Sequence, residues 1–111
     1  MLNQVVLVGR LANEPEVYET ESGKKYTNVT LAVPRSFKNE DGEYETDFVN
    51  CKLWQGIATN TAEYCKKGDL VGIKGRLQTY NNDENNRIVM EVIAEKVTFL
   101  STKYKENEQE R

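Results

Sequence analysis

The stretch "DFVNCKLWQGIATNTAEYCKKGDLVGIKGRL", residues Asp47–Leu77, changes its period twice. Its first part alternates as a strand does: Val49, Cys51 and Leu53 fall on one side, and Phe48, Asn50, Lys52 and Trp54 on the other. From Ile57 the spacing turns helical, with Ile57, Thr61, Tyr64 and Cys65 on one stripe. This predicts a short helix with Lys66 and Lys67 in its last turn and Gly68 placed to stop it. From Leu70 the alternation returns, Val71, Ile73 and Leu77 opposing Lys74, Arg76, Gln78 and Tyr80. Gly72 and Gly75 in that run are what a strand needs where a barrel bends it.

Upstream, Gln4 to Leu11 reads as a β-branched strand, and Gly9 within it marks a bulge or a close backbone approach. A turn-rich segment around Pro15 and Gly23 leads to a second strand, Tyr26 to Phe37, where Val29, Leu31 and Val33 alternate with Asn28, Thr30 and Ala32. Pro34 suggests an edge or an end near its far side. The Asp41-Gly42 pair is a hairpin signal joining this strand antiparallel to the one that contains Trp54. Downstream, the polar "NNDENN" precedes a long fifth strand, "RIVMEVIAEKVTFL". Five strands with one helix between the third and fourth match the order of a five-stranded OB-fold barrel, an all-β class. Other small barrels and sandwiches share that pattern. We place the domain at residues 1–100 and read 101–111 as a short polar, disordered tail.

Length and composition exclude several classes. A chain of 111 residues is one small domain. No apolar run reaches the roughly 20 residues of a membrane span, and the N-terminus lacks a signal peptide's pattern, so no membrane partner and a cytoplasmic location are expected. With no histidine and only two scattered cysteines, a metal site is not expected. Cys51 and Cys65 read as small buried hydrophobes, with a disulfide or a reactive thiol as the other readings. No carboxylate pair sits in a catalytic context, which argues against an enzyme, and no cofactor is implied. The net charge of −3 speaks against a nucleic-acid binder only as a total. Acids crowd "NEDGEYETD" and the C-terminal end, whereas Lys66, Lys67, Lys74 and Arg76 share a stretch with Asp69 alone.

The face opposite the core carries the functional signal. Phe37, Phe48, Trp54 and Tyr80 stand at outward or strand-end positions, interleaved with Arg35, Asn50, Lys52, Lys74, Arg76 and Gln78. Any one of these aromatics could simply pack, and any one lysine could be solvated charge. Together they form what a single-strand binder requires: rings for bases of any identity and cations for phosphates.

The pieces "MLNQVVLVGRLANEPE", "NVTLAVPRSF", "DFVNCKLW", "TAEYCKKGDLVGIKGRLQT" and "EVIAEKVTFL" resemble the bacterial single-stranded DNA-binding proteins, the SSB family, in order over roughly residues 1–100. The resemblance implies an OB-fold homotetramer that wraps and protects single-stranded DNA without sequence preference, in replication, recombination and repair. It implies base stacking by Phe37, Phe48 and Trp54, and phosphate contacts by Arg10, Lys67 and Arg76. A further family aromatic falls at Asn82 here, with Tyr80 the nearest ring, in a shorter loop. Tyr18 and Asn50 stand where some relatives have arginine.

The chain stops at "KYKENEQER" without the Gly/Pro-rich linker and Pro-Phe tip of most members, so docking of repair and replication proteins through such a tip is not expected. It resembles short paralogues of Gram-positive bacteria, one of them associated with DNA uptake in competence. A nucleoid-associated, cytoplasmic protein is the expectation. The competing reading is an OB-type protein-interaction or oligomerisation module whose aromatics pack against another chain.

Overall fold

The computed structural model describes residues 1–101. In chain order it holds β1 (Val5–Leu11), β2 (Tyr18–Glu19), β3 (Lys25–Lys38), β4 (Tyr44–Trp54), α1 (Gln55–Tyr64), β5 (Leu70–Asn82) and β6 (Arg87–Ser101). The five expected strands are β1, β3, β4, β5 and β6. The two-residue β2 is an addition, paired to β3 through Tyr18↔Tyr26 and Glu19↔Lys25. Of the segment read as a tail, Ser101 closes β6, and residues 102–111 lie outside the described residues.

The strands run in the order β1-β5-β6-β4-β3-β2, and β1 returns to β3 through Arg10↔Ala32 and Leu11↔Leu31. That return closes five strands into a barrel with β2 on its rim. All pairings are antiparallel except β4 with β6, which run parallel at Cys51↔Val92 and Lys52↔Ile93. The inward set is the one the alternation predicts except at Leu77, which is 42% exposed: Val29 and Leu31 of β3, Cys51 and Leu53 of β4, Val71 and Ile73 of β5, with Leu11, Val92 and Ala94, are all buried. Ala58 and Thr61 of α1 plug one end of the barrel, and Cys65 follows them into the core.

Two glycines allow the closure. A Cβ on Gly9 would meet the Ala32 carbonyl, with its carbon at 3.0 Å and Leu31 Cγ at 3.1 Å, so β1 and β3 approach more closely than any side chain permits. Gly75 plays the same part against Ile93, next to a register shift in which Lys74 faces Lys96 but Gly75 faces Ala94. Glu95 is therefore the extra residue of a bulge, which bends β6 and reverses its alternation. Before the bulge Val92 and Ala94 point inward; after it Val97 packs on the core. Gly72 needs no such allowance, because its nearest neighbours would stand at 3.8–3.9 Å. Pro34 does not end its strand. It still faces Thr46, and the ladder shifts register between it and Lys38, where a missing N–H is tolerated.

The helix ends earlier than its pattern suggests. Cys65 is already extended (φ −119°, ψ 151°), and its N–H caps the Thr61 carbonyl. Lys66 and Lys67 consequently lie in a following turn rather than in the last helical one. The buried Asp69 holds that turn: its carboxylate accepts from the Lys66 N–H at 2.9 Å, its own N–H donates to the Lys66 carbonyl, and Gly68 supplies φ +95°. A side chain competing for backbone donors overrides the helical period here.

Both cysteines are free and buried. Burial pushes the Cys51 thiol up to about 12, helped by the Glu91 carboxylate, and the Cys65 thiol up to about 11, helped by Asp69. The thiolate is the reactive species. Neither thiol should therefore react with an aromatic disulfide reagent at pH 8 in the native protein, and both should react at once in denaturant; rapid native labelling would contradict the packing described.

Candidate nucleic-acid interface

The outer face of β3 and β4 is set by their register. Tyr26 faces Trp54, Asn28 faces Lys52, Thr30 faces Asn50 and Ala32 faces Phe48. Each pair lies on the side opposite the core, since the intervening Thr27, Val29, Leu31, Cys51 and Leu53 are all buried. Phe48 is 66% exposed and shares a row with Ala32 and Arg10, because Ala32 pairs with both neighbours.

At the other end of this face three rings line up across three strands. Tyr18 and Tyr26 have centroids 5.8 Å apart, and Tyr26 and Trp54 5.5 Å apart, all tilted. The Lys52 ammonium stands 5.2 Å from the Tyr26 centroid and 5.4 Å from that of Trp54. Lys52 is thus a cation held against two rings.

The β5–β6 hairpin closes this face from the side. A cleft of about 210 Å³ lies between its Tyr80, Val89 and Glu91 and the Asn28, Thr30, Asn50 and Lys52 face. Tyr80 is 47% exposed there. Arg76 joins the Lys52 row through Ile93, which pairs with both, and its guanidinium lies 3.7 Å from Glu95. Gln78 pairs with Glu91 on the same hairpin. Among the described residues no cluster of His, Cys, Asp or Glu could hold a metal ion.

The structure therefore brings Tyr80 together with Asn50 and Lys52, with Trp54, Phe48, Arg76 and Gln78 in adjoining rows, and it sets the other expected residues apart. Phe37, 65% exposed, lies far out on the β3–β4 arm, where the neighbouring Lys38 pairs with Tyr44 and covers its ring at 5.8 Å. Arg10 donates to the Gly68 carbonyl at 2.9 Å, which places it beside the Lys66–Asp69 turn that bears Lys67. Lys74 lies in a row with Val6 and Lys96, past the β6 bulge and away from the cleft.

Arg35 is held by carboxylates. Its Nε and Nη2 donate to Asp47, and its Nη1 donates to Glu45 at 2.6 Å. The guanidinium hydrogen bond holds the Asp47 carboxyl below its usual range, so this pairing is complete at neutral pH and is lost only as pH falls through that lowered value. Asp47→Asn should release Arg35 toward phosphate and remove a repelling charge. The expected result is tighter binding to single strands, with the slope of log affinity against log salt steeper by about 0.7, one added phosphate contact. An unchanged slope would mean that Glu45 alone keeps Arg35.

Sequence reasoning missed Tyr18 and Tyr26. Tyr26 opens a strand whose even positions all face outward, so the alternation could have placed it opposite Trp54 once the hairpin register was fixed. Tyr18 lay in a segment with too few residues to show a period.

The chain can be compared with known proteins on this footing. Residues 2–100 match the model of the Single-strand binding protein family. It is 53% identical over 109 residues to "Single-stranded DNA-binding protein B" of Bacillus subtilis, covering 96% of each chain. It is 53% identical over 103 residues to "Single-stranded DNA-binding protein" of Halalkalibacterium halodurans, and 51% identical over 106 residues to "Single-stranded DNA-binding protein A" of Bacillus subtilis. It spans 61% and 62% of the lengths of those two, against 90% and 93% of its own. Its fold superposes on the structure described as "Plasmodium falciparum SSB complex with ssDNA" with a TM-score of 0.79 at 24% identity, over 91% of this chain and 96% of that one. This last likeness establishes the barrel architecture.

Proposed function

The chain belongs to the Single-strand binding protein family and is a single-stranded DNA-binding protein, and we propose from that premise that it coats its ligand without reading sequence. The observation that carries the mode of binding is the outer face of β3 and β4. Phe48 presents its ring to solvent, Trp54 lies partly exposed on the same surface with Lys52 beside it, and Tyr80 overhangs the cleft that Lys52 lines. Rings accept any base by its π-face, and cations follow the backbone, so affinity arises without base-edge recognition. Arg76, Asn50 and Gln78 supply polar contacts along the cleft; Arg10 and Lys67, on the Phe48 side, extend the phosphate path. Phe37 and the β3–β4 arm reach further along the strand. The protein acts by binding and not as an enzyme.

Assembly into a homotetramer fits the exposed apolar side chains that remain. Val6 and Val8 on the outer face of β1, and Leu77, Ile88 and Met90 on the β5–β6 hairpin, are all exposed in the single chain. Subunit contacts would bury them. No helix among the described residues is long and apolar enough to cross a membrane, and we place the protein in the cytoplasm with the nucleoid. Its work there is protection of single strands in replication, recombination and repair, and of incoming strands in transformation.

The competing reading, an interaction module whose rings pack against a protein, lacks any pull toward phosphate. A competition assay separates the two: unlabelled oligo(dT) and mixed-sequence single strands should displace a labelled single strand equally, and a duplex of the same length should not. Absence of any single-strand complex at low salt would leave the interaction module as the reading.

A further inference from the structure

We propose that the base-stacking surface does not stop at Trp54 but continues across β3 to the sheet edge, with Tyr26 and Tyr18 as two further base platforms. The inference rests on the proposed binding of single strands along the β3–β4 face and adds the direction in which the strand leaves it. The register puts Tyr18, Tyr26 and Trp54 in one row, on β2, β3 and β4 in turn. Neighbouring strands lie about 4.8 Å apart, and the ring centroids keep close to that spacing at 5.5 and 5.8 Å. The row crosses the strands and runs out at β2, the edge strand of the sheet order.

Packing between rings does not account for the arrangement by itself. Tyr18 is 49% exposed at the rim, so a ring of that size covers little core there. Its hydroxyl donates to the Glu16 carboxylate at 2.8 Å, which holds the half-exposed ring in place. Lys52 sits against Tyr26 as closely as against Trp54, so the one ammonium serves both platforms. A stacked base beside a fixed cation is the unit of single-strand recognition, and here that unit occurs at Tyr26 as fully as at Trp54. The strand accordingly passes from Trp54 over Tyr26 to Tyr18, perpendicular to the β-strands.

The test uses the full chain and oligo(dT) with 5-iodouracil substituted for thymine. Irradiation of the wild-type complex followed by mass spectrometry should find cross-links on Tyr26 and Tyr18 as well as on Trp54. In parallel, Tyr26→Leu, which keeps bulk without a π-face, should weaken oligo(dT) binding at least fivefold with an unchanged salt slope, and Tyr26→Phe should restore it. Cross-links confined to Trp54 and Phe48, with wild-type affinity in Tyr26→Leu, would overturn the extension while leaving the parent reading intact. No cross-link at Trp54 or Phe48 either would sink the parent reading. Should Tyr26→Leu fail to fold, the wild-type cross-links decide alone.

Discussion

Replacing Gly75 by alanine will destabilise the fold by about 3 kcal/mol, a large part of what a domain of this size has. The inward-facing Cβ would lie 2.9 Å from the Ile93 carbonyl carbon and 3.2 Å from Ala94 Cα, and closer still to the Ile93 carbonyl oxygen. Each of these is backbone of β6, which is anchored on both sides by its ladders to β5 and β4. The bulge at Glu95 cannot relax without moving Ile93 and Ala94, both buried. Gly72→Ala is the matched control. It lies on the same strand, where a Cβ would make only ordinary contacts, and alanine there should shift stability by less than about 1 kcal/mol. Urea denaturation measures both, a midpoint shift at constant slope reporting stability alone. Equal midpoints for the two variants would contradict the account of how the barrel closes.

The second large effect is on binding. Trp54→Ala should lower affinity for single-stranded DNA by about 1–3 kcal/mol, the worth of one stacked base. The slope of log affinity against log salt should stay as it was, because no phosphate contact is removed. Trp54 is mostly covered and packs on Tyr26, so the fold should also lose about 2–3 kcal/mol. Phe48→Ala is the cleaner variant in that respect, since its ring is mostly exposed and faces away from the core. Trp54→Phe should bind close to the wild-type level. A variant that lost salt dependence instead of affinity would assign the residue to Lys52's electrostatics rather than to stacking.

The barrel was legible because it is built from alternation. Val49, Cys51 and Leu53 had to face inward once Phe48, Asn50 and Lys52 were taken as the other side, and a one-residue slip would have buried a lysine. The short helix between β4 and β5 gave the strand order its meaning. What the pattern could not show were features that depend on one backbone meeting another. The end of α1 at Tyr64 is set by the Asp69 carboxylate, a side chain beyond the helical stripe. The bulge at Glu95 shifts only one ladder, and β2 is too short for any period.

The site divides along the same line. Trp54, Lys52, Asn50 and Phe48 lie on one strand, so their common face follows from local geometry. Tyr80 reaches them only because the β5–β6 hairpin extends beyond the barrel wall. Arg35 was read from its residue type near a strand end, and Lys74 from type and parity; neither reading carries information about Asp47 and Glu45 across the hairpin or about the register shift before Gly75. Tyr26 needed the β3–β4 register as well as its parity.

Trp54 is the chain's single tryptophan, so its fluorescence reports on this face alone. Titration of the wild-type protein with poly(dT) should quench that emission strongly and saturably at low salt, with affinity falling linearly in log salt as counterions are released. Binding that leaves Trp54 emission unchanged would contradict the central claim, because the DNA would then be held on some other surface.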